Sequence, residues 1–460
     1  MIGFLESAVG NFTSTGLGLA ALVVFVLAYA LVVTEDLIHL RKSKPVIAAA
    51  GIIWILTAIA YGTDGKFPET FIEERVKHHV ADFGELFLFL MVAMTYISAI
   101  AERNVFLKLN AMLVSAGFGF RSVFWTTGLL AFLISPIADN LTTALLMGAV
   151  VSTVGRQNGK FIGMACVNIV VAANAGGAFS PFGDITTLMV WQKGKVPTLE
   201  FLQLLVPSLV NWLIPAVCMH FAVPKQKPDP VTEDVELKQG WLVVILLFLL
   251  TIATAVIFHA KLHLPPFLGM TTGLGYFMLY GYWRTLKSKK VAHVNKVEVF
   301  DNIAEVEWDT LLFFFGVIMC VGGLSELGYL TIASEFLYHD LGPSVANVGV
   351  GLISAVLDNV PVMFAVLGMN PDMLNESLRA AEANPEVVGD YKLYQWLLVT
   401  LTAGVGGSLL SVGSAAGVAL MGTARGRYTF FGHLKWIWAI ALGYAGSIWV
   451  HALINAPGGA

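Results

Sequence analysis

Charged residues are scarce in this chain of 460 residues: Asp, Glu, Lys and Arg together make up 13% of it. Soluble globular domains normally carry about 25% charged residues. Hydrophobic residues instead make up 57% of the chain. Runs such as Leu17 to Val33, Trp241 to Ile257 and Phe431 to Leu453 reach roughly the 20 apolar residues that cross a bilayer. The sequence therefore predicts an all-α polytopic membrane protein in contact with the lipid bilayer along its whole length.

Motifs of enzymes and bound cofactors are also lacking. The sequence contains no HExxH motif, nucleophile elbow or P-loop, and no pair of histidines in an apolar run that could hold a catalytic metal. The three cysteines, Cys166, Cys218 and Cys320, lie in apolar stretches without paired spacing, so we expect them to be packing residues. We expect neither an enzyme nor a cofactor, and nucleic acid is not an expected partner.

No basic segment precedes the first apolar stretch, and no Arg- and Ser-rich transit segment is found. We therefore expect a multi-pass protein of the bacterial inner membrane that keeps its first span. Apolar periodicity predicts membrane helices over 16–34, 45–61, 84–101, 161–192, 199–223, 241–260, 266–283, 310–328, 392–424 and 432–453.

Two further apolar regions, 122–155 and 343–369, are each interrupted near the middle by polar residues. If the clusters of basic residues lie in the cytoplasm, the predicted spans alternate consistently provided that each region is a re-entrant hairpin. The N-terminus then lies outside, the first hairpin opens inward and the second opens outward. The alternative is that each region makes two very short complete crossings.

The two halves of the sequence resemble each other. Ser135-Pro-Ile-Ala-Asp139-Asn140 matches Ser354-Ala-Val-Leu-Asp358-Asn359, and Gly176-Gly177 with Gly183 matches Gly406-Gly407 with Gly413 at equal spacing. By the charge rule the halves run in opposite directions, which predicts inverted repeats with a binding site at their interface near the bilayer midplane. The predicted domains are scaffold helices over 1–83, a first repeat over 84–223, a linker (Pro224–Lys238) and scaffold helices over 224–309, and a second repeat over 310–460.

Each repeat carries two interruptions of its apolar pattern. One is the hairpin tip, over Ser135–Thr143 or Ser354–Pro361, and the other breaks the helix 161–192 or the helix 392–424 with glycines and hydroxyl residues. Such sequences interrupt helices and free backbone carbonyls, which persist at membrane depth only where they line a cavity. Carboxylates, hydroxyls, amide oxygens and free carbonyls are the hard oxygen ligands that suit a small alkali cation.

Three aspartates, Asp139, Asp184 and Asp358, lie in these interruptions. An aspartate at the bilayer centre costs ~2.5–3.5 kcal/mol even on insertion scales, and a cation or a proton can neutralise it. Alternating occupancy of the same carboxylates by Na⁺ (or Li⁺) and H⁺ would produce exchange. The alternative role for Asp139 and Asp358 is to cap the following half-helix, and capping is compatible with ion binding.

The predicted Na⁺/H⁺ site consists of these aspartates with neighbouring oxygen-bearing side chains. A serine or threonine in a membrane helix often bonds its own backbone instead. Glu85 is either an interfacial carboxylate or part of a proton path, Glu102 and Glu326 are expected at the membrane interface, and His78-His79 are expected on a solvated outer face or, alternatively, in a pH-sensitive stretch. The site residues are Asp139, Asp184, Asp358, Asn140, Thr142, Asn174, Thr186, Asn359, Ser135, Ser354, Ser411 and Ser414.

The strings around Asp139, around Asn174 to Asp184 and from Gly406-Gly407-Ser408 to Gly417 resemble the NhaD family of Na⁺/H⁺ antiporters, in the ion transporter superfamily. The resemblance covers nearly the whole chain. It implies a homodimer, a scaffold part and a transport part with two opposed hairpins, an elevator-like movement and a role in pH homeostasis. It implies the same site residues, all of which are present. Related anion carriers have Ser-Asn-Thr at the hairpin tips, so the aspartates here speak against anion transport.

Three other functions compete with antiport. A symporter could couple Na⁺ to a small carboxylate or another anion, with the aspartates holding only the coupling ion. A passive channel is disfavoured because buried carboxylates flanked by broken helices on both sides are typical of an occluded site. A membrane-embedded enzyme would need a catalytic cluster that the sequence does not contain.

Overall fold

A computed structural model describes residues 10–38, 40–68, 70–156, 158–227, 235–288, 298–375, 385–424 and 426–457. The described chain is helical throughout and contains no strand. The part of the predicted linker at 228–234 lies outside the described residues. The helices are α1 (Gly16–Val33), α2 (Glu35–Ile38), α3 (Ser43–Asp64), α4 (Phe71–Glu102), α5 (Val105–Ser115), α6 (Phe120–Ala138), α7 (Asn140–Gly155), α8 (Gly159–Gly177), α9 (Ile185–Gln192), α10 (Leu205–His220), α11 (Trp241–Leu262), α12 (Pro266–Ser288), α13 (Val299–Ala304), α14 (Trp308–Glu326), α15 (Tyr329–Ser334), α16 (Pro343–Ser354), α17 (Asn359–Met369), α18 (Pro385–Gly406), α19 (Ala415–Thr423), α20 (Phe430–Leu434) and α21 (Ile437–Asn455).

Nine helices of the described chain are long and apolar enough to cross a membrane. They are α1, α3, α4, α6, α8, α10 with the preceding 3₁₀ turn, α11, α14 and α21. Helix α11 exposes Leu246, Leu250 and Ile257, as expected of a helix that faces lipid. The fold is that of an all-α polytopic membrane protein.

Helices α4 and α6 bear on the predicted course of the chain. Helix α4 has 32 residues and begins at Phe71, thirteen residues before the predicted span at 84–101, so it includes the charged segment Glu73–His79. Helix α6 has 19 residues and is by itself long enough to cross a membrane. The re-entrant course of the region 122–155 therefore stays a prediction.

The chain forms two compact units, each with its own core. The first takes in the described parts of Met1–Leu90, Glu307–Ala346 and Val360–Ala380, and the second takes in Met91–Val306, Asn347–Asn359 and Ala381–Ala460. This partition differs from the predicted repeat boundaries, and the assignment of scaffold and repeats stays a prediction.

In the first unit, α3 and α14 pack closely. The Trp54 indole N–H donates to the Met319 carbonyl at 2.9 Å, and the Cys320 thiol donates to the Val46 carbonyl at 3.3 Å. Cys320 and Cys166 are buried, and all three cysteines are free thiols. The predicted packing role therefore fits the positions of these two.

In the second unit, α8 is buried along almost its whole length, from Phe161 to Gly177. Asn168 on α8 donates to the Phe124 carbonyl of α6 at 2.8 Å and accepts from the Trp212 indole of α10 at 2.9 Å. These bonds satisfy a buried amide and attach two helices, α6 and α10, to α8. The end of α8 is thereby held in the interior of the unit.

Two interruptions follow the buried ends of α8 and α18. Residues 178–184 separate α8 from α9, and residues 407–414 separate α18 from α19. Gly177 and Gly407 occupy equivalent places: a Cβ on Gly177 would lie 2.7 Å from the Gly183 carbonyl oxygen, and one on Gly407 would lie 2.6 Å from that of Gly413. Only glycine permits these crossings of the backbone.

Candidate cation site

Asp184 begins α9 at the first of these interruptions, and its side chain is almost fully buried, with 4% exposure. Its Oδ1 accepts a hydrogen bond from the Thr186 backbone N–H at 3.1 Å. The carboxylate therefore caps the helix, as aspartates commonly do. Its second oxygen faces away from this cap toward the hairpin tips.

Both predicted tips contribute an asparagine to that second oxygen. The Asn140 side-chain amide donates to Asp184 Oδ2 at 3.0 Å, and the Asn359 amide donates to the same oxygen at 2.9 Å. Each asparagine directly follows a predicted site aspartate, Asp139 or Asp358. The two asparagines thus bring the tips that carry Asp139 and Asp358 to Asp184.

Asn174 links the two helix interruptions. Its Oδ1 accepts from the Asn140 amide at 3.0 Å, while its own amide donates to the hydroxyls of Ser408 at 2.8 Å and Ser414 at 2.9 Å. Asn174 and both serines are at most 1% exposed. Hydrogen bonds between neutral side chains thus lead from Asp184 through Asn140 and Asn174 to the second interruption.

Asp139 caps α7, which is one of the two roles considered for it. Its Oδ1 accepts from the Thr142 backbone N–H at 2.8 Å, and its Oδ2 accepts from the Thr142 hydroxyl at 2.9 Å. Asp139 is half-buried and has a φ of 54°, a left-handed conformation that is uncommon for residues other than glycine. Asp358 is half-buried as well.

Ser135 and Ser354 bind backbone carbonyls rather than lining the centre. The Ser135 hydroxyl donates to the Ala173 carbonyl at 2.6 Å, and the Ser354 hydroxyl donates to the Ala403 carbonyl at 2.8 Å. The two bonds are equivalent in the two halves of the sequence. They attach α6 to α8 and α16 to α18, which is the backbone-bonding role considered for serine in membrane helices.

Three buried hydroxyls have no hydrogen bond of ordinary geometry among the described residues, those of Thr143, Thr186 and Ser411. The Thr186 hydroxyl nevertheless lies beside the Asp184 carboxylate and interacts with it. Buried polar groups normally have a partner, so such groups call for an explanation. Their oxygens can serve as ligands of an alkali cation.

Sequence reasoning omitted two residues from the predicted site. Ser408 bonds Asn174, and Thr143 carries one of the unpartnered hydroxyls. Both lie inside the polar strings that resemble the NhaD family, and this position could have marked them as site residues. Glu85 lies half-buried on α4 in the other compact unit, and its proposed part in a proton path stays a prediction.

The charge balance of the site points to a positively charged ligand. The described groups that donate to Asp184 are two side-chain amides and one backbone N–H, with the Thr186 hydroxyl beside them, and none of them carries a full positive charge. No three His, Cys, Asp or Glu side chains are grouped for a metal ion in the described part of the chain. The oxygen set therefore suits a cation that is held by one carboxylate with hydroxyls and amides.

Glu326 and His79 lie elsewhere than predicted. Glu326 is completely buried, and its Oε1 contacts Arg75 Nη2 at 2.6 Å and His79 Nε2 at 3.2 Å. The expected place of Glu326 at the membrane interface is wrong, and so is the solvated position of His79, because α4 extends far enough to bring a guanidinium and an imidazole to Glu326. His78 and Glu102 are exposed.

Comparison with known proteins decides the family. A family model described as "Citrate transporter" matches residues 10–404. The Na⁺/H⁺ antiporter NhaD of Alkalimonas amylolytica is 53% identical over 97% of this chain and 92% of its own length. The chain belongs to the NhaD family of Na⁺/H⁺ antiporters. The NhaD protein of Vibrio parahaemolyticus is 54% identical over 88% of this chain and 98% of its own length.

A more distant relative comes from a plant. Sodium/proton antiporter 1 of Arabidopsis thaliana is 28% identical over 95% of this chain and 72% of its own length. The NhaD resemblance found in the polar strings is thus confirmed over almost the full sequence.

Proposed function

We propose that this protein exchanges Na⁺, or Li⁺, for H⁺ across the bacterial inner membrane. The observation that carries the proposal is the environment of Asp184, a buried carboxylate whose hydrogen-bond donors among the described residues are all neutral. A proton and a small cation would compete for this carboxylate, with Asp139 and Asp358 adding negative potential. The NhaD relatives are named Na⁺/H⁺ antiporters, which supports the same exchange.

Burial makes this competition effective. A carboxylate in a medium of low dielectric is unfavourable in its charged form unless a positive partner is present. Protonation removes the charge, and a cation compensates it. After one ion has left and before the other binds, the amides of Asn140 and Asn359 stabilise the charged carboxylate, because they donate to Asp184 Oδ2.

Oxygen-bearing side chains that could bind a cation lie at both helix interruptions. We infer that Na⁺ is held by the Asp184 carboxylate, by the hydroxyls of Thr186 and Ser411, and by oxygens at the hairpin tips. The position of the Thr186 hydroxyl beside Asp184, and the buried Ser411 hydroxyl that has no hydrogen bond among the described residues, support this assignment. The asparagines could turn their amide oxygens toward the cation, since an amide offers one acceptor and two donors.

Two parts of the proposal rest on family resemblance. We propose that the unit bearing the tips moves in an elevator-like manner and that the protein works as a homodimer. Cross-linking of single-cysteine variants on α11 under conditions of transport would test both statements.

Sodium-driven proton flux in proteoliposomes tests the proposed exchange. We expect flux for the wild type without any organic anion, and loss of flux in at least two of Asp139→Asn, Asp184→Asn and Asp358→Asn. Asp340→Asn is the matched control, because this carboxylate is 64% exposed. Flux like that of the wild type in all three site variants would contradict the site assignment.

The second candidate is a symporter of Na⁺ with a small carboxylate, which the "Citrate transporter" description of the matched family favours. In that case the aspartates hold only the coupling ion. Uptake of labelled citrate driven by a sodium gradient, together with absence of proton movement in anion-free proteoliposomes, would support the symporter.

A further inference from the structure

Gly404 occupies a special place on α18. It lies ten residues before Ser414, just as Asn174 lies ten residues before Asp184. The neighbouring residues Ala173 and Ala403 accept equivalent hydrogen bonds from Ser135 and Ser354, so 174 and 404 are structurally equivalent. The first half of the sequence thus places an amide side chain at this point, and the second half places only a hydrogen atom.

Packing does not require glycine at this position. A Cβ on Gly404 would have as its nearest atoms the Ala178 Cβ at 3.7 Å, Asp184 Oδ2 at 3.9 Å and Thr186 Oγ1 at 3.9 Å. These are ordinary contact distances. Gly406, two residues further along the same helix, would instead collide with the Gly351 carbonyl.

Glycine is also unfavourable in a helix interior compared with alanine. A buried glycine that packing does not demand, at a helical position, is best explained by the group that lies beside it. Two oxygens lie beside Gly404, the Asp184 Oδ2 and the Thr186 hydroxyl. The Thr186 hydroxyl is fully buried next to the Asp184 carboxylate.

We propose that Gly404 leaves the room in which the transported cation contacts Asp184 and Thr186, so that residue 404 limits the size of the accepted cation. This inference rests on the proposed cation exchange and adds a selectivity determinant to it. A methyl group at position 404 would lie against both oxygens and narrow the space between them. Na⁺ is larger than Li⁺, so it loses more from the narrowing.

Gly404→Ala tests the inference, because alanine fits the helix and the neighbouring atoms. Gly349→Ala on α16 is the matched control: it lies in the same compact unit, and a Cβ there meets nothing within 4 Å. The measurement is the half-saturating concentration of Na⁺ and of Li⁺ for proton flux in proteoliposomes. The ratio of the two values does not depend on the folded fraction of the sample.

We expect the half-saturating concentration of Na⁺ to rise about tenfold or more in Gly404→Ala, since one methyl group in a fitted pocket changes discrimination by ~10–200-fold. The value for Li⁺ should rise less, and Gly349→Ala should leave both values unchanged. An unchanged ratio of Na⁺ to Li⁺ values in Gly404→Ala would overturn the inference. Absence of cation-driven flux in the wild type would instead refute the proposed exchange itself.

Discussion

The two helix interruptions have the same backbone and different chemistry. Asp184 begins α9 at φ −144° and ψ 149°, and Ser414 begins α19 at φ −143° and ψ 149°. The first side chain is a carboxylate that receives an asparagine amide from each hairpin tip, while the second is a hydroxyl that accepts from Asn174. The second half of the sequence thus reproduces the backbone geometry of the first. Of the two helix interruptions, 178–184 and 407–414, only the first carries a carboxylate.

This comparison agrees with the proposal that the two ions compete at the Asp184 carboxylate. Two buried aspartates on facing helix ends would repel each other and would require two compensating charges. One aspartate with neutral donors on the other side can be neutralised by a single small cation or a single proton. The asymmetry between the halves therefore fits the proposed competition of a cation and a proton for Asp184.

Making the first interruption like the second is expected to have the largest effect. Asp184→Ser should lower sodium-driven proton flux by about 100-fold or more, because even outer-shell partners of metal ligands are worth ~10–100-fold. The double variant Asp184→Ser with Ser414→Asp should not restore flux, since the amides of Asn140 and Asn359 are directed to position 184. Recovery of flux in the double variant would show that the site depends on charge alone, and Ser414→Asp serves as its control.

The asparagines of the two hairpin tips, Asn140 and Asn359, can be compared in the same way. Asn140→Ala and Asn359→Ala each remove one donor to Asp184 Oδ2, so each should weaken the apparent affinity for Na⁺ by roughly 10–100-fold. Asn140→Ala should have the greater effect, because Asn140 also holds Asn174. Concentration series of Na⁺ in the flux assay give both values, and equal effects would contradict the role assigned to Asn174.

Sequence reasoning named most of the polar residues that meet around Asp184, because polar strings inside apolar helices are visible without coordinates; their role as cation ligands stays a prediction. The approach of Asn140 and Asn359 to one carboxylate could have been predicted, since the repeat places an asparagine at the same position in each tip. The pairing of Glu326 with Arg75 and His79 was not predictable, because it depends on how far α4 extends beyond its apolar part. A charged segment at a helix end gives the same sequence pattern whether it is solvated or turned inward.

Glu326 provides the contrasting case of a buried carboxylate with a permanent partner. Its Oε1 is bound to the Arg75 guanidinium at 2.6 Å, so no exchangeable cation is needed. Arg75→Met removes the permanently charged partner of Glu326, leaving the His79 imidazole beside it, and should lower the free energy of unfolding by ~3–5 kcal/mol. The smallest effect on exchange is expected here: flux per folded molecule should stay close to that of the wild type.

Thermal unfolding in detergent measures the effect of Arg75→Met. Lys77→Met is the matched control, since Lys77 lies on the same helix and contacts Glu73 at 2.6 Å in an exposed pair. Exposed pairs contribute about 0–1 kcal/mol, so its unfolding should hardly change. Equal destabilisation by both variants would show that the buried pair has no special role.

The most direct test of the central claim is proton release on Na⁺ binding. Competition for one carboxylate requires that Na⁺ displaces a proton from the purified protein in weakly buffered detergent solution. We expect the pH to fall when NaCl is added to the wild type at a pH where it transports, and not to change for Asp184→Asn or when choline chloride is added. Proton release from Asp184→Asn equal to that of the wild type would contradict the claim that Asp184 is the carboxylate at which the two ions compete.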